Sequence, residues 1–232
     1  MSSASKEINK LTSIRVAKNI QSVNLPISLG ILTSRVKVGP KNKEIWQMLQ
    51  DIGKERVSQY TPDTLKNIDH IAAFREFYKR IGKDPSRYRP SSEMLIRRIT
   101  RGIPLYSINN VVDIMNFLSI KTYLPMGLYD QNKIVGNITF RIGKKDEGFP
   151  GIRKGIVNVE SLPILADDLG AFGDPSSDSE RTMIRLETTK MLLVFFSCSG
   201  NPDRLLEKTY EYARNLYTKY CSATDFKFSI VQ

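Results

Sequence analysis

The stretch Arg89–Asp130, RPSSEMLIRRITRGIPLYSINNVVDIMNFLSIKTYLPMGLYD, sets the reading of the chain, because it threads polar residues through what the pattern marks as buried structure. Val111, Val112, Ile114, Met115, Leu118 and Ile120 describe a mostly apolar helix of about three turns, interrupted by Asn109, Asn110, Asp113 and Asn116. The spacing of Asn110, Asp113 and Asn116 stacks them along one strip of that helix. Burying such a strip costs free energy unless every group finds a partner. Two explanations stay open. In one, the strip is satisfied internally: Asn109 or Asn110 caps the helix, Asp113 bonds a neighbouring loop and Asn116 holds a backbone turn. In the other, at least one of the three faces a ligand.

Working outward, LPISLGILTSRVKV (25–38) has the β-branched content of a strand pair or one long bent strand, and residues 41–59 read as a helix. Thr61 and Pro62 resemble an N-cap and first helical residue, opening a helix to Arg80 with Ile71, Phe74, Tyr78 and Ile81 on one stripe and Gly82 at its end. Ser91 or Ser92 caps the next helix, Glu93 to Arg101, stopped by Gly102 and Pro104. Beyond the polar-striped helix the period changes. NITFRIG, GIVNVE, LPILADD, RTMIRLE and MLLVFFS are short strand-like runs between Gly, Pro, Asp and Ser clusters. GAFGDPSSDSE (170–180) is the longest turn-rich segment and the candidate rim of a pocket. Asn201 and Pro202 open a last helix with Leu206, Tyr210, Ala213, Tyr217 and Tyr220 on one stripe, and FKFSIVQ closes the chain as a strand. The expectation is an α+β domain over residues 1–232 with a mainly antiparallel sheet flanked by helices.

Composition agrees: 232 residues, 41% hydrophobic and 25% charged, suit one globular domain able to bury a sizeable core. No window reaches the roughly 18 apolar residues of a membrane span, and MSSASKEINKLTSIRVAK lacks the apolar region of a secretory signal, so a cytoplasmic protein is expected. Two cysteines, Cys198 and Cys221, make neither a disulfide framework nor a metal set. The lone His70 argues against zinc and against a Ser-His-Asp triad.

Charge is uneven. Residues 1–100 hold 19 Lys and Arg against 9 Asp and Glu, whereas residues 101–232 hold 16 against 15. The densest run comprises Lys79, Arg80, Lys83, Arg87, Arg89, Arg97, Arg98 and Arg101, interleaved with Tyr78 and Tyr88. Such a patch suits a polyanion, with arginines on phosphates and tyrosines on unpaired bases. The plainer alternative is a solvated basic face, and Glu93 with Arg97 reads as an ordinary i,i+4 helix ion pair.

The segment INNVVDIMNFLSIKTYLPMGLYD, followed by ILADDLGAFGDPSSDSERTMIRLE, resembles the B3/B4 editing domain of the phenylalanyl-tRNA synthetase beta subunit. The pattern there is close to N-x-V-V-D-[IV]-T-N-Y, then Q-P-L-H-A-F-D, then a strand ending I-A-D, a Gly-rich turn and T-x-x-x-x-E. RYRPSSEMLIRR resembles free-standing members of that family, and the similarity runs over residues 51–197. The resemblance implies the editing-domain fold and hydrolysis of a mischarged aminoacyl ester in a pocket between two subdomains. It places the pocket asparagine on Asn116, the glycine of the Gly-rich turn on Gly173 and the recognition glutamate on Glu187. The pattern's histidine is replaced, because Gly127 stands at its position in LPMGLYD. Ester hydrolysis rests on a placed water and a stabilised oxyanion more than on any one base.

The function expected is therefore a free-standing editing-like hydrolase that binds tRNA or its aminoacylated end. Asn116 and Glu187 hold the reacting group, Gly173, Gly127, Asn110 and Asp113 line the substrate, and Lys83, Arg87, Arg89, Arg97 and Arg98 face RNA, with no metal or organic cofactor. Two other readings remain: a non-catalytic module that binds RNA or an aromatic amino acid, and deacylation of a small amino-acid derivative without RNA. For Glu187 alone, a surface carboxylate is the bland alternative.

Overall fold

The computed structural model describes residues 13–200 and 202–232, so the first twelve residues of the segment read for a signal, and Asn201, lie outside the described residues. The elements run β1 (Ile14–Val16), α1 (Lys18–Gln21), β2 (Ser28–Arg35), α2 (Lys43–Gln59), α3 (Asp69–Arg80), α4 (Ser91–Thr100), α5 (Asn110–Thr122), β3 (Met126–Asp130), β4 (Ile138–Ile142), β5 (Gly148–Pro150), β6 (Ile156–Asn158), β7 (Pro163–Asp167), β8 (Gly170–Asp174), β9 (Ser177–Asp178), β10 (Lys190–Ser197), α6 (Pro202–Cys221) and β11 (Thr224–Val231). The architecture is α+β. One sheet is antiparallel throughout, in the order β11-β2-β10-β3, a second runs β1-β4-β7-β8-β9 with only β1 and β4 parallel, and β5 and β6 form a small antiparallel pair.

The four-stranded sheet is covered on both faces, which explains why LLVFF in β10 is apolar without alternation. Leu192, Val194 and Phe196 join Phe140, Ile164 and Phe172 of the other sheet and Phe74, Phe77 and Tyr78 of α3 in one core. Met191, Leu193 and Phe195 face Val111, Ile114 and Leu118 of α5 and Leu206, Ala213 and Tyr217 of α6 in another. A third cluster, with Leu49, Ile52, Ile71, Ile96 and Ile120, packs α2 and α4 against the far side of α5. The α5 helix is thus enclosed from two sides; Asn110 and Asp113 of its polar strip are buried and Asn116 is half-buried.

Several local expectations change. The residues after Thr61–Pro62 form turns and a short 3-10 segment, and α3 begins at Asp69. Pro90 rather than Ser91 or Ser92 is the α4 N-cap; Ser91 Oγ instead accepts from Met126 N–H at 3.2 Å and so ties α4 to β3. The turn-rich segment 170–180 is the β8–β9 hairpin, because Asp174 Oδ1 accepts from the Ser176 and Ser177 N–H groups and makes a tight turn between two short strands. RTMIRLE is not a strand: residues 181–187 form turns and irregular backbone, held by Thr182 O accepting from Asp130 N–H and Thr188 Oγ1 donating to Asp130 Oδ2.

Candidate functional site

Strand alternation puts Gly127 and Tyr129 of β3 on the same face, turned toward the other sheet. The Tyr129 ring is fully buried and meets Phe172 edge-on at 4.9 Å between centroids. Its hydroxyl lies between two glycines. A Cβ added at Gly127 would fall 2.1 Å from Tyr129 Oη, and one added at Gly173 would fall 2.2 Å from the same atom. The structure therefore brings together the two glycines singled out in the sequence, and it shows why each is glycine: the phenol takes the space that a side chain would need.

Around this phenol sits a group of buried polar atoms without partners among the described residues: Tyr129 Oη, Asp174 Oδ2 and Asp178 Oδ1. Burial pushes the Asp174 carboxyl up to about 6, against the pull of the Ser176 and Ser177 donors. It pushes Asp178 up to about 7, where the neighbouring Tyr129 hydroxyl favours the ionised form and the Asp174 charge opposes it. The same burial, with Asp178 beside it, holds the Tyr129 phenol well above its ordinary value. A carboxyl that exchanges its proton near neutrality beside a buried phenol has the protonation range of a general acid or base. Tyr129, Asp174 and Asp178 were missed in the sequence. The only trace of them was the acidic run in GDPSSDSE, which read as turn chemistry.

The other expected site residues have varied surroundings. Asn110 is buried and satisfied by the fold: its Oδ1 accepts from Gly39 N–H at 2.8 Å, and its Nδ2 donates to Lys37 O and Tyr220 O at 3.1 and 3.0 Å. Asp113 accepts from Ser107 Oγ and from Ile108 N–H, closing the loop that enters α5, while Asn109 caps the helix by accepting from Val112 N–H. These contacts use the internal explanation for both residues. Asn116 is half-buried with no hydrogen bond to a described side chain, on the flank of α5 that holds Val112 and Met115, which pack on the same core as Ile184. Glu187 is exposed in the turn before β10, not at the end of a strand, one residue from the Thr188 clamp on Asp130. The fold therefore fixes the backbone around Glu187 to the end of the strand that carries Gly127.

The basic patch is narrower than its sequence. Glu93 is buried and pairs with Arg75 at 2.9 Å and Arg89 at 3.5 Å, not with Arg97. The reason is that Arg97 turns to donate to Pro62 O at 2.8 Å. Burial raises the Glu93 carboxyl pKa while Arg75 and Arg89 lower it. Arg98 donates to Pro104 O at 2.8 Å and lies over the Tyr106 ring. Of the five cations expected at RNA, Arg87 is exposed and Lys83 rests over the Tyr88 ring at 5.2 Å. No group of three or more His, Cys, Asp or Glu residues is placed to hold a metal among the described residues. Nor is any described helix long and apolar enough to cross a membrane.

Comparison with known proteins places this geometry in context. Residues 73–221 match the family model described as the B3/4 domain. The phenylalanine-tRNA ligase beta subunit of Fusobacterium nucleatum is 40% identical over 81 residues, covering 34% of this chain and 10% of that protein. The corresponding subunit of Nitrobacter winogradskyi is 33% identical over 82 residues, 35% of this chain and 10% of that protein. The matches thus span about a tenth of the curated relatives. Among solved structures, an N-terminal fragment of the phenylalanyl-tRNA synthetase beta subunit from Pyrococcus horikoshii aligns with a TM-score of 0.48 at 13% identity, over 95% of this chain and 50% of that one.

Proposed function

The chain belongs to the B3/4 domain family, and on that basis we propose that it acts on the aminoacylated end of a tRNA, in trans, as a hydrolase of wrongly attached aminoacyl esters. The observation that carries this reading is the convergence of Gly127 and Gly173 on one buried phenol beside Asp178, whose carboxyl is held near neutrality. Water is the nucleophile. Asp178 accepts its proton, backbone N–H groups near Gly173 stabilise the oxyanion, and Asn116 and Glu187 hold the aminoacyl group. Arg87 supplies the exposed charge for the RNA, with Lys83, Arg89, Arg97 and Arg98 contributing from their half-buried positions. The reaction needs no metal, and the protein works in the cytoplasm, where charged tRNA is found.

A second reading is favoured by a specific feature. The Tyr129 ring fills the space between the two glycines and Glu187 faces solvent, as in a module that binds an aminoacyl or RNA end without hydrolysing it. One experiment separates the two. A panel of correctly and wrongly charged tRNAs, including phenylalanine tRNA carrying tyrosine, is incubated with the wild type and with Asn116→Ala, Asp178→Asn and Glu187→Ala. Hydrolysis predicts loss of at least one ester above the buffer rate, and a drop of roughly tenfold or more in the variants, about 1.4 kcal/mol of transition-state stabilisation. A panel hydrolysed no faster than in buffer leaves the binding module.

A further inference from the structure

A cavity of about 470 Å³ opens where α2, the start of α3, the end of α5 and α6 meet, away from the two glycines and Tyr129. That volume is within the roughly 300–1,000 Å³ of small-molecule pockets. Its walls combine flat rings with cations that have no carboxylate partner. Lys121 Nζ lies 5.0 Å from the centroid of the Tyr212 ring and Lys208 Nζ 6.0 Å from it. Neither ammonium makes a salt bridge among the described residues, whereas the guanidinium of Arg56, also in the wall, is tied to Glu55 at 2.7 Å. The last wall is Tyr123, the residue that ends α5. It holds φ +62°, a left-handed conformation that costs a non-glycine residue roughly 1 kcal/mol or more. Its ring is fixed in place: the Arg56 guanidinium stacks over it at 4.8 Å, and Tyr60 Oη meets its hydroxyl at 3.2 Å. Asp69 and His70 complete the rim, with burial lowering the His70 imidazole pKa against the opposing pull of the Asp69 carboxylate.

Two ammoniums without a carboxylate partner among the described residues call for an anion, flat walls call for a ring, and the Asp69 carboxylate at the rim suits sugar hydroxyls. We propose that this cavity binds a nucleotide, its base against Tyr212 and Tyr123, its phosphate on Lys121 and Lys208 and its ribose toward Asp69. The site stands apart from ester hydrolysis and holds whether or not the chain is an editing enzyme. The same chemistry is offered by a free nucleotide and by the unpaired end of an RNA.

His70 is the sole histidine of the chain and lines the cavity, so its imidazole NMR signal is a local probe. Adenosine 5′-monophosphate, adenosine, inorganic phosphate and a single-stranded RNA hexamer are titrated into the full chain. Saturable movement of the His70 signal is expected with the monophosphate, the hexamer or both, and Lys208→Glu, an exposed change that leaves the core intact, weakens it at least tenfold. Tighter binding of the hexamer assigns the site to an RNA end; equal or tighter binding of the monophosphate assigns it to a free nucleotide. The proposal is overturned if neither moves the signal, if inorganic phosphate alone moves it as strongly, or if Lys208→Glu binds as well as wild type.

Discussion

The contact between Gly127 and Tyr129 makes a quantitative demand. A methyl group at position 127 would sit 2.1 Å from Tyr129 Oη, 2.7 Å from Cζ and 2.9 Å from Cε2. Ordinary carbon–oxygen contact is more than 1 Å longer. The ring has little room to retreat, since a Cβ added at Gly173 on the other side would itself fall 2.2 Å from the same oxygen, and Phe172 meets the ring edge-on. Overpacking a dense core costs about 1–3 kcal/mol, and a clash on the phenol oxygen and two ring carbons belongs at the upper end. Gly127→Ala should therefore lose about 3 kcal/mol, a fall of roughly 6–12 °C in Tm for a domain of this size. Tyr129→Leu empties the space at its own cavity cost of roughly 2–4 kcal/mol. On that background Gly127→Ala should be nearly free. Urea denaturation of the four proteins gives the coupling, expected near 3 kcal/mol against the 0.5 kcal/mol or less of independent sites. Additive losses, or a Gly127→Ala variant as stable as wild type, would refute the account of why these positions are glycine.

Stability should depend on pH through the same pocket. Asp174 and Asp178 titrate higher in the folded chain, at about 6 and about 7, than their unfolded value of 3.8; the folded state then binds more protons between about pH 4 and 7, so stability falls as pH rises through that window. The urea midpoint should be higher at pH 5 than at pH 8, by an amount that Asp178→Asn reduces, up to roughly 3 kcal/mol per carboxyl; a midpoint difference unchanged by Asp178→Asn contradicts the assignment. On the basic patch, Arg87→Glu should weaken tRNA binding with a change in stability of about 0.5 kcal/mol or less. Arg89→Glu instead sets a carboxylate beside the buried Glu93 and should cost about 2 kcal/mol or more, and thermal melts showing the two variants equally stable would sink that distinction.

Helices with strong periodicity were legible. Asn110 and Asp113 of the α5 strip, Ile71, Phe74 and Tyr78 of the α3 stripe and Leu206, Ala213 and Tyr217 of the α6 stripe are buried, while Asn116, Ile81, Tyr210 and Tyr220 at the margins of those stripes are half-buried, as a 3.6-residue apolar period facing a core requires. The misread segments share a cause: polar side chains that bond backbone far away or in a tight turn. Asp174 converts a turn-rich run into a hairpin, Asp130 holds 182–188 as a clamped loop where β-branched content suggested a strand, and Pro62 O draws Arg97 away from Glu93. Periodicity carries none of these, since each depends on where a distant carbonyl or N–H lies.

The candidate site was half legible for a related reason. Matching motifs position by position marks Gly127 as a place where a histidine is missing, and treats the change as a loss. The structure couples that position to the residue two further along the strand, where LPMGLYD has Tyr129 in place of the pattern's phenylalanine. A phenol at 129 reaches back over 127 and forbids any side chain there. One polar group has gone and another has come into the same space, so the two differences act as a single exchange. Restoring histidine alone would then test folding before it tested chemistry. Any activity of this pocket has to be asked of Tyr129 and the carboxyls that face it, which the motif comparison had no reason to name.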